Sequence, residues 1–259
     1  MLAVERECSE EESAMKVRIK FKKVGSLKFI GHLDVMRYFQ KAFRRAEVDV
    51  AYSKGFSPHQ LLSFASPLGI GLTSEGEYLD AEFESVDTSE EMVRKINQVM
   101  VEELCILEFK ELPEKAENAM ASVAGADYAV SIKEGYYKNH PFFEKLEEFI
   151  NKETILVMKK TKKSEKEVDI RPMIYQLEQR GNTIFMRLAT GSVANLKPET
   201  VMMALCQACN VDYEPFGIQI HRLETYMWNP ENEGELIPLG AIGMEILEPK
   251  QEVLEEKAN

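Results

Sequence analysis

Two histidines and a carboxylate in the first quarter of the 259-residue chain could do acid–base or metal chemistry. His32 and Asp34 are two residues apart, and His59 follows a serine–proline pair. A histidine pair with a nearby carboxylate can bind a metal or transfer protons. The alternative is that His32 or Asp34 caps a helix and His59 hydrogen-bonds within a loop. Because no nucleophile or second carboxylate is fixed nearby, we assign these three residues to ligand binding, with no catalytic residue and no metal ligand.

Four basic residues follow on a predicted helix. Arg37, Lys41 and Arg45 are separated by steps of four, and Arg44 adjoins the last of them, so they share one side of the helix. Residues 16–60 carry eleven Lys and Arg against three Asp and Glu, a net charge of +8 in a chain whose total is −12. Like charges repel when gathered, so this concentration predicts either an acidic partner surface or a phosphate-bearing partner. A solvated basic surface is the alternative.

The segment after this helix offers further hydrogen-bond donors. Tyr52, Ser53, Lys54 and His59 surround a glycine that permits close backbone approach to an anion. Phe56, in the same segment, could stack on a nucleobase or fill a gap in the core. We therefore add Tyr52, Ser53 and Lys54 to the predicted binding residues.

The one close cysteine pair does not predict a cofactor. Cys206 and Cys209 lie three residues apart late in a predicted helix, beside apolar residues. A zinc site would need a second pair, and an iron–sulfur site would need at least three suitably placed cysteines. We predict that both are small core residues and that no cofactor is bound.

The elements that must position these residues begin with a strand. Residues 16–24 alternate, with Val17, Ile19 and Phe21 on one face and basic residues on the other, which predicts a half-buried strand with a basic outer face. A helix over about 33–46, further strands, a helix opened by the Thr88 and Glu91 capping box, and a final strand follow. This order is the ferredoxin-like βαββαβ plan.

The same plan repeats in the second half. A strand over 128–132, a helix after Pro141, a hairpin around 180–182 and a helix beginning at Pro198 precede a last strand at 216–220. We predict an α+β protein of two tandem ferredoxin-like domains with antiparallel sheets, over residues 15–113 and 125–225. Residues 1–14 are predicted to be a disordered leader, and residues 226–259 a partly disordered acidic tail.

Composition limits the function further. A pI near 5.0 disfavours a general, sequence-blind nucleic-acid binder, which must neutralise many phosphates. No run of about 18 apolar residues occurs, so we expect no membrane span. The acidic first residues do not form a secretory signal, and four cysteines are too few for a disulfide scaffold. A cytoplasmic location is expected.

Several motifs together resemble the radical SAM-linked protein family. The resemblance covers roughly residues 16–225 and is carried by residues 31–34, Arg37, 44–46, Tyr52, Ser53, Gly55, Phe56, Pro58, His59, 66–68, 77–80 and 168–172. That family is a largely uncharacterised bacterial group whose members occur beside, or fused to, a radical S-adenosylmethionine enzyme. The resemblance implies such an enzyme as partner and supplies no established activity for any residue.

These observations lead to a main functional hypothesis and two alternatives. The first is a non-catalytic accessory subunit that recognises RNA, a ribosome-linked substrate or another anionic substrate for a radical SAM enzyme. In it, Arg37, Lys41, Arg44 and Arg45 contact the anion. Its pocket is shaped by His32, Asp34, Tyr52 and His59.

The first alternative is a metal-independent endoribonuclease with His32 as general base, because the arrangement resembles the CRISPR repeat-processing endoribonucleases. The acidic total charge and the lack of a glycine-rich C-terminal loop stand against it. The second alternative is a protein–protein scaffold that docks through the basic helix.

Overall fold

The computed structural model describes residues 14–138, 140–160 and 165–251, so the predicted leader lies outside the described residues except for Ala14. Within these ranges the fold is α+β, as predicted, with a large and mostly antiparallel sheet and few helices. None of the helices in this part of the chain is long and apolar enough to cross a membrane.

The first half contains five strands and two α-helices in the described residues. Its elements are β1 (Met15–Lys23), α1 (His32–Arg45), β2 (Leu62–Phe64), β3 (Thr73–Phe83), β4 (Ser85–Val86), α2 (Ser89–Asn97) and β5 (Ile106–Glu111). One half of the predicted capping box is present: the Thr88 hydroxyl accepts a hydrogen bond from the Glu91 amide at 3.3 Å, while the Glu91 carboxylate accepts from Arg94.

The rest of the chain repeats this order with additions. Its elements are α3 (Ala119–Ser122), β6 (Val123–Ile132), α4 (Phe142–Ile150), β7 (Leu156–Lys160), β8 (Glu165–Asp169), β9 (Ile174–Arg180), β10 (Thr183–Ala189), α5 (Pro198–Ala208), β11 (Ile218–Trp228), β12 (Leu236–Pro238), β13 (Met244–Glu245) and β14 (Lys250–Gln251). β9 and β10 form the predicted hairpin, in which Gly181 adopts a φ of 58° that favours glycine.

Ten of the strands form one sheet that runs through both halves. Its order is β13-β5-β1-β3-β11-β6-β10-β9, with β2 paired to β3 and β12 paired to β11. When only the strands of this sheet are counted, each half has the order fourth, first, third, second, as β5-β1-β3-β2 and as β11-β6-β10-β9. We expected a separate sheet in each half, and that expectation is wrong, because β3 and β11 pair in parallel and join the halves.

The junction is possible because β2 is short. Its three residues pair only with residues 79–81 of β3, which leaves the start of β3 free. There Thr73 pairs with His221 and Ser74 with Arg222. Gly76 follows, and a Cβ at this position would lie 2.4 Å from the Cα of Glu224. The close approach of the two strands therefore requires glycine.

All four long helices pack on one face of the sheet. In the first half, Phe39 of α1 and Met92 of α2 belong to an apolar cluster with Val17 and Leu79 of the strands. In the second half, α4 and α5 pack in the same way on β6, β10 and β11. We call the opposite face of the sheet the distal face. Since side chains alternate along a strand, the charged residues between the core positions point to the distal face.

The prediction that β1 exposes a basic outer face is wrong for Arg18 and Lys20. Arg18 is buried and donates two hydrogen bonds to the Asp80 carboxylate, at 2.7 and 2.9 Å, while Lys20 Nζ lies 2.6 Å from the Glu224 carboxylate. The reason is that later segments cover this part of the distal face. Residues 226–251, expected to be partly disordered, form β12, β13 and β14 and bury Leu239 completely.

Candidate functional site

The basic residues of α1 remain on the protein surface. The helix begins at His32 after Gly31, whose backbone is extended and makes no side-chain capping bond. Asp34 does not cap the helix either: its carboxylate lies 3.3 Å from Arg37 Nη1, and both side chains are exposed. An exposed pair of this kind is weak, because water screens it.

Three α1 cations lack a carboxylate partner. Arg44 Nε donates to the Gln40 carbonyl at 3.2 Å, and Arg45 Nη2 donates to the Val99 carbonyl at 2.9 Å. Lys41, which lies three and four residues before them, is exposed. Within the described ranges, no carboxylate lies within 4 Å of these three groups. Carboxylates of the described residues therefore do not neutralise these charges.

The segment with Tyr52 and His59 is a turn held together by its own bonds. Tyr52 and Gln60 form an isolated bridge, and Ser53 Oγ lies 2.7 Å from His59 Nδ1 and accepts from the His59 amide at 3.1 Å. His59 thus bonds within the loop, as one of our two interpretations predicted. Lys54 and Phe56 are exposed, so Phe56 does not fill the core.

His32 lies apart from this turn. Its ring makes an edge-to-face contact with Phe64 at 5.1 Å and lines a cavity of about 10 Å³ together with Lys23 and Glu77. In the part of the chain that the structure describes, no hydrogen bond, ion pair or ring contact joins His32 to His59, or either histidine to the α1 cations. The predicted binding residues therefore occupy three separate places.

A buried charged cluster behind His32 was missed by the sequence reasoning. Lys23 is 2% exposed and donates to the Ile30 carbonyl at 2.9 Å. Burial lowers the pKa of Lys23, and the charge of Glu77 offsets part of that effect. Glu77 in turn pairs with the buried Arg222 at 2.9 Å. The available signal was alternation, since residue 23 falls on the same face of β1 as Val17, Ile19 and Phe21.

A second missed group is a row of polar side chains across the distal face at the junction. The Glu224 carboxylate accepts hydrogen bonds from Lys20 Nζ at 2.6 Å and from the Tyr78 hydroxyl at 2.8 Å. Burial and the charge of Glu224 raise the pKa of Tyr78 far above its ordinary value. Glu224 is also the cross-strand neighbour of Asp127 on β6. The row therefore connects the two halves.

Asp127 is the centre of a third group, in the second half. Arg187 Nε and Nη2 donate to its two carboxylate oxygens at 2.7 and 2.8 Å, and the Tyr226 hydroxyl donates at 2.8 Å. Burial, with the bond to Asp127, raises the pKa of Tyr226 to about 12. The hydrogen bond to Asp127 raises the pKa of Arg187, so this side chain is a fixed cation. Unlike Arg18, it is partly exposed.

The described residues include no group of three or more His, Cys, Asp or Glu that could hold a metal ion. Cys206 is buried, as predicted, and burial raises the pKa of its thiol to about 11. A thiol in this state is protonated near neutral pH and is a poor ligand or nucleophile. Cys209 is partly buried.

Comparisons with known proteins identify the family to which the chain belongs. The model of the family DUF2344, "Uncharacterized protein conserved in bacteria", matches residues 16–198, so the chain belongs to that family. No curated protein sequence matches. One similar solved chain comes from "Crystal Structure of a Cbf5-Nop10-Gar1 Complex", with a TM-score of 0.40 and 9% identity. The match covers 81% of this chain and 48% of that one, so the chain spans about half its length.

Proposed function

We propose that this DUF2344 protein is a non-catalytic subunit that recognises RNA, or another phosphate-bearing ligand, through the basic side of α1. The observation that supports this most directly is the state of Lys41, Arg44 and Arg45. They are exposed and have no carboxylate partner in the described structure, although acidic residues outnumber basic ones by twelve in the whole chain.

The contrast with β1 strengthens this proposal. Arg18 and Lys20 belong to the same basic stretch of sequence, yet both pair with carboxylates inside the protein. The cations on α1 are thus still able to attract an anion, as are the exposed Lys16 and Lys54, which have no ion pair in the described residues. An acidic remainder limits binding to ligands that fit this one surface.

No observation favours the endoribonuclease alternative. Within the described residues, the His32 ring contacts Phe64, and no hydrogen bond or ion pair orients it as a general base. Our proposal gives His32 no catalytic role. The protein-scaffold alternative is an outcome of the experiment below.

We also propose a partner for the protein and a fold for each of its halves. The resemblance to the radical SAM-linked family implies a radical SAM enzyme as the partner, and co-purification from native cells tests it. We further infer that each half, over 15–113 and 125–225, is a ferredoxin-like unit. The strand order fourth, first, third, second in both halves supports this inference.

A charge-reversal experiment tests the main proposal. In the double variant Lys41→Glu and Arg44→Glu, we expect at least tenfold weaker binding of a labelled single-stranded RNA in fluorescence anisotropy at low salt. If both side chains contact phosphates, the slope of log K against log salt becomes shallower by about 1.4.

The matched control is Lys133→Glu with Lys138→Glu, which changes the net charge equally at two exposed positions of the second half. Equal losses in both double variants would show a general charge effect and contradict the proposal. Loss of a co-purifying protein from the α1 variant, without any RNA binding by the wild type, would favour the scaffold.

A further inference from the structure

Three aromatic side chains of the second half lie together on the distal face; we call Tyr175, Tyr226 and Trp228 the aromatic patch. Tyr175 and Trp228 are 40% and 48% exposed, and their ring centroids are 6.0 Å apart in an edge-to-face arrangement. Tyr226 lies on the same strand as Trp228, two residues before it. Exposed aromatic rings in contact with each other offer an apolar surface that water solvates poorly.

The strand register explains why the rings meet. Leu188 pairs with Ile174 and Arg187 with Gln176, so Tyr175 is an extra residue in β9. A bulge of this kind changes the direction in which a side chain points, here that of Tyr175. Gly125, which pairs with Tyr226, lies beside the Tyr175 ring, because a Cβ there would contact this ring at 3.5 Å. The patch is therefore formed where residues of three strands meet.

Arg187 borders the patch with unused donors. Its guanidinium lies 4.7 Å from the centre of the Tyr226 ring, and Asp127 holds it through Nε and Nη2. Among the residues that the structure describes, no group accepts a hydrogen bond from Nη1. A guanidinium fixed on one side and free on the other is prepared to donate to a carbonyl or phosphate oxygen.

A groove of about 240 Å³ adjoins the patch. Trp228 lines it together with Val123, Thr190, Val193 and Met227, and Val193 is fully exposed. The groove is mostly apolar, so an occupant would lie against Trp228 rather than make many hydrogen bonds. Its size is several times the roughly 30 Å³ share of one liquid water molecule.

We propose that the aromatic patch binds a nucleobase of single-stranded RNA, which stacks on the face of one ring, Trp228 or Tyr175, and packs against the other, while Arg187 Nη1 donates to an oxygen of the same nucleotide. Recognition of unpaired bases by aromatic side chains on an open sheet face is a general mode of RNA binding. The choice of RNA rests on the proposed function, but the residues are different ones and lie in the other half of the protein.

The single tryptophan of the chain makes this proposal directly testable. Fluorescence of the full-length protein, excited at the tryptophan band, reports on Trp228 alone. We expect quenching on titration with a single-stranded oligonucleotide of mixed sequence, and with nucleoside monophosphates at higher concentration. Ribose 5-phosphate, which lacks a base, is expected to cause no quenching.

Two variants locate the site, and one controls for exposed aromatic surface. Tyr175→Leu keeps apolar bulk over Gly125 but removes the stacking ring, and Arg187→Lys keeps the charge but loses the fork geometry. Each is expected to weaken the quenching interaction about tenfold. Phe216→Ala removes an aromatic ring that is 77% exposed elsewhere and is expected to change nothing.

The outcomes separate the two proposals. Quenching by RNA that survives Lys41→Glu with Arg44→Glu but is lost in Tyr175→Leu supports the patch and overturns the role of α1. RNA binding without quenching, unaffected by Tyr175→Leu, overturns the patch and leaves α1. Quenching by mononucleotides alone supports the nucleobase site with a free nucleotide as its source. No quenching by either ligand overturns the patch.

Discussion

Each half of the protein places an arginine–aspartate pair on the distal face, on corresponding strands and in opposite directions. In the first half Arg18 lies on the first strand and Asp80 on the third; in the second half Asp127 lies on the first strand and Arg187 on the third. The side chain of Arg18 is completely buried, whereas that of Arg187 is 30% exposed. The same chemical pair thus has two different environments.

The difference comes from what covers each pair. Arg18 Nη1 donates to the Leu239 carbonyl and Nη2 to the Glu117 carbonyl, and Asp80 also accepts from the Ala119 amide. These bonds fix two covering segments on the first half. No comparable segment of the described chain bonds to Arg187, whose remaining contact is Tyr226. The first pair stabilises the fold, and the second is available to a ligand.

The largest effect is expected at the covered pair. Arg18→Met leaves the Asp80 carboxylate without its charge partner and the two backbone carbonyls without donors. We expect a loss of about 3–5 kcal/mol in the free energy of unfolding. Arg187→Met should cost about 1–3 kcal/mol, since water reaches the second pair. Urea unfolding followed by circular dichroism measures both. Equal losses would contradict the conclusion that the two pairs differ in their contribution to stability.

A smaller effect is expected at the junction that joins the halves. Gly76→Ala places a methyl group against the backbone of Glu224, so β3 and β11 must separate. We expect a loss of about 1–3 kcal/mol in the free energy of unfolding. Gly69→Ala is the control, because its methyl group would meet only a leucine side chain at 3.7 Å. A thermal unfolding scan that ranks the two variants equally would contradict the close approach of these strands.

The smallest effect concerns pH at the same junction. Thr73 Oγ1 lies 2.8 Å from His221 Nδ1, and burial lowers the pKa of His221 below its ordinary value, with the charge of Glu75 opposing the shift. The unfolded chain therefore binds a proton more readily than the folded protein. This contribution to stability is complete above about pH 6.5, the usual histidine value, and is lost as the pH falls below it.

We expect His221→Asn to reduce the difference between the urea midpoints at pH 7.5 and pH 5. His140→Asn provides the comparison, because burial lowers the pKa of His140 as well, at a position outside the junction. An unchanged difference in His221→Asn would mean that protonation of this histidine is not linked to unfolding.

The sequence predicted the elements better than their assembly. Alternation gave β1, and the capping box gave the start of α2, because both signals are local. The parallel pairing of β3 with β11 consists of two residue pairs, and it brings together Thr73 and His221, which are 148 positions apart. No periodic pattern in the sequence indicates such a pairing. The same limit explains why Arg18 was assigned to the surface: its partners are Asp80 and a carbonyl near the C-terminal end of the described chain.

The candidate sites show the same division. That α1 would carry exposed basic residues followed from helical spacing alone. The aromatic patch could not be predicted, because it depends on a bulge at Tyr175 and on a ring contact between two strands that are not neighbours in the sheet. A bulged residue has no sequence signal that separates it from an ordinary strand residue.

The bond between Arg18 and the Leu239 carbonyl has a consequence for biosynthesis. The two groups are 221 positions apart in the sequence. The guanidinium of Arg18 can therefore complete its hydrogen bonds only after the segment around Leu239 has been synthesised. During translation the N-terminal half emerges with a charged strand face that nothing yet covers. Contacts of such long sequence separation slow folding, and incompletely covered intermediates are prone to aggregate. Released chains that end before residue 239 should therefore be more sensitive to protease than released chains that extend to residue 251.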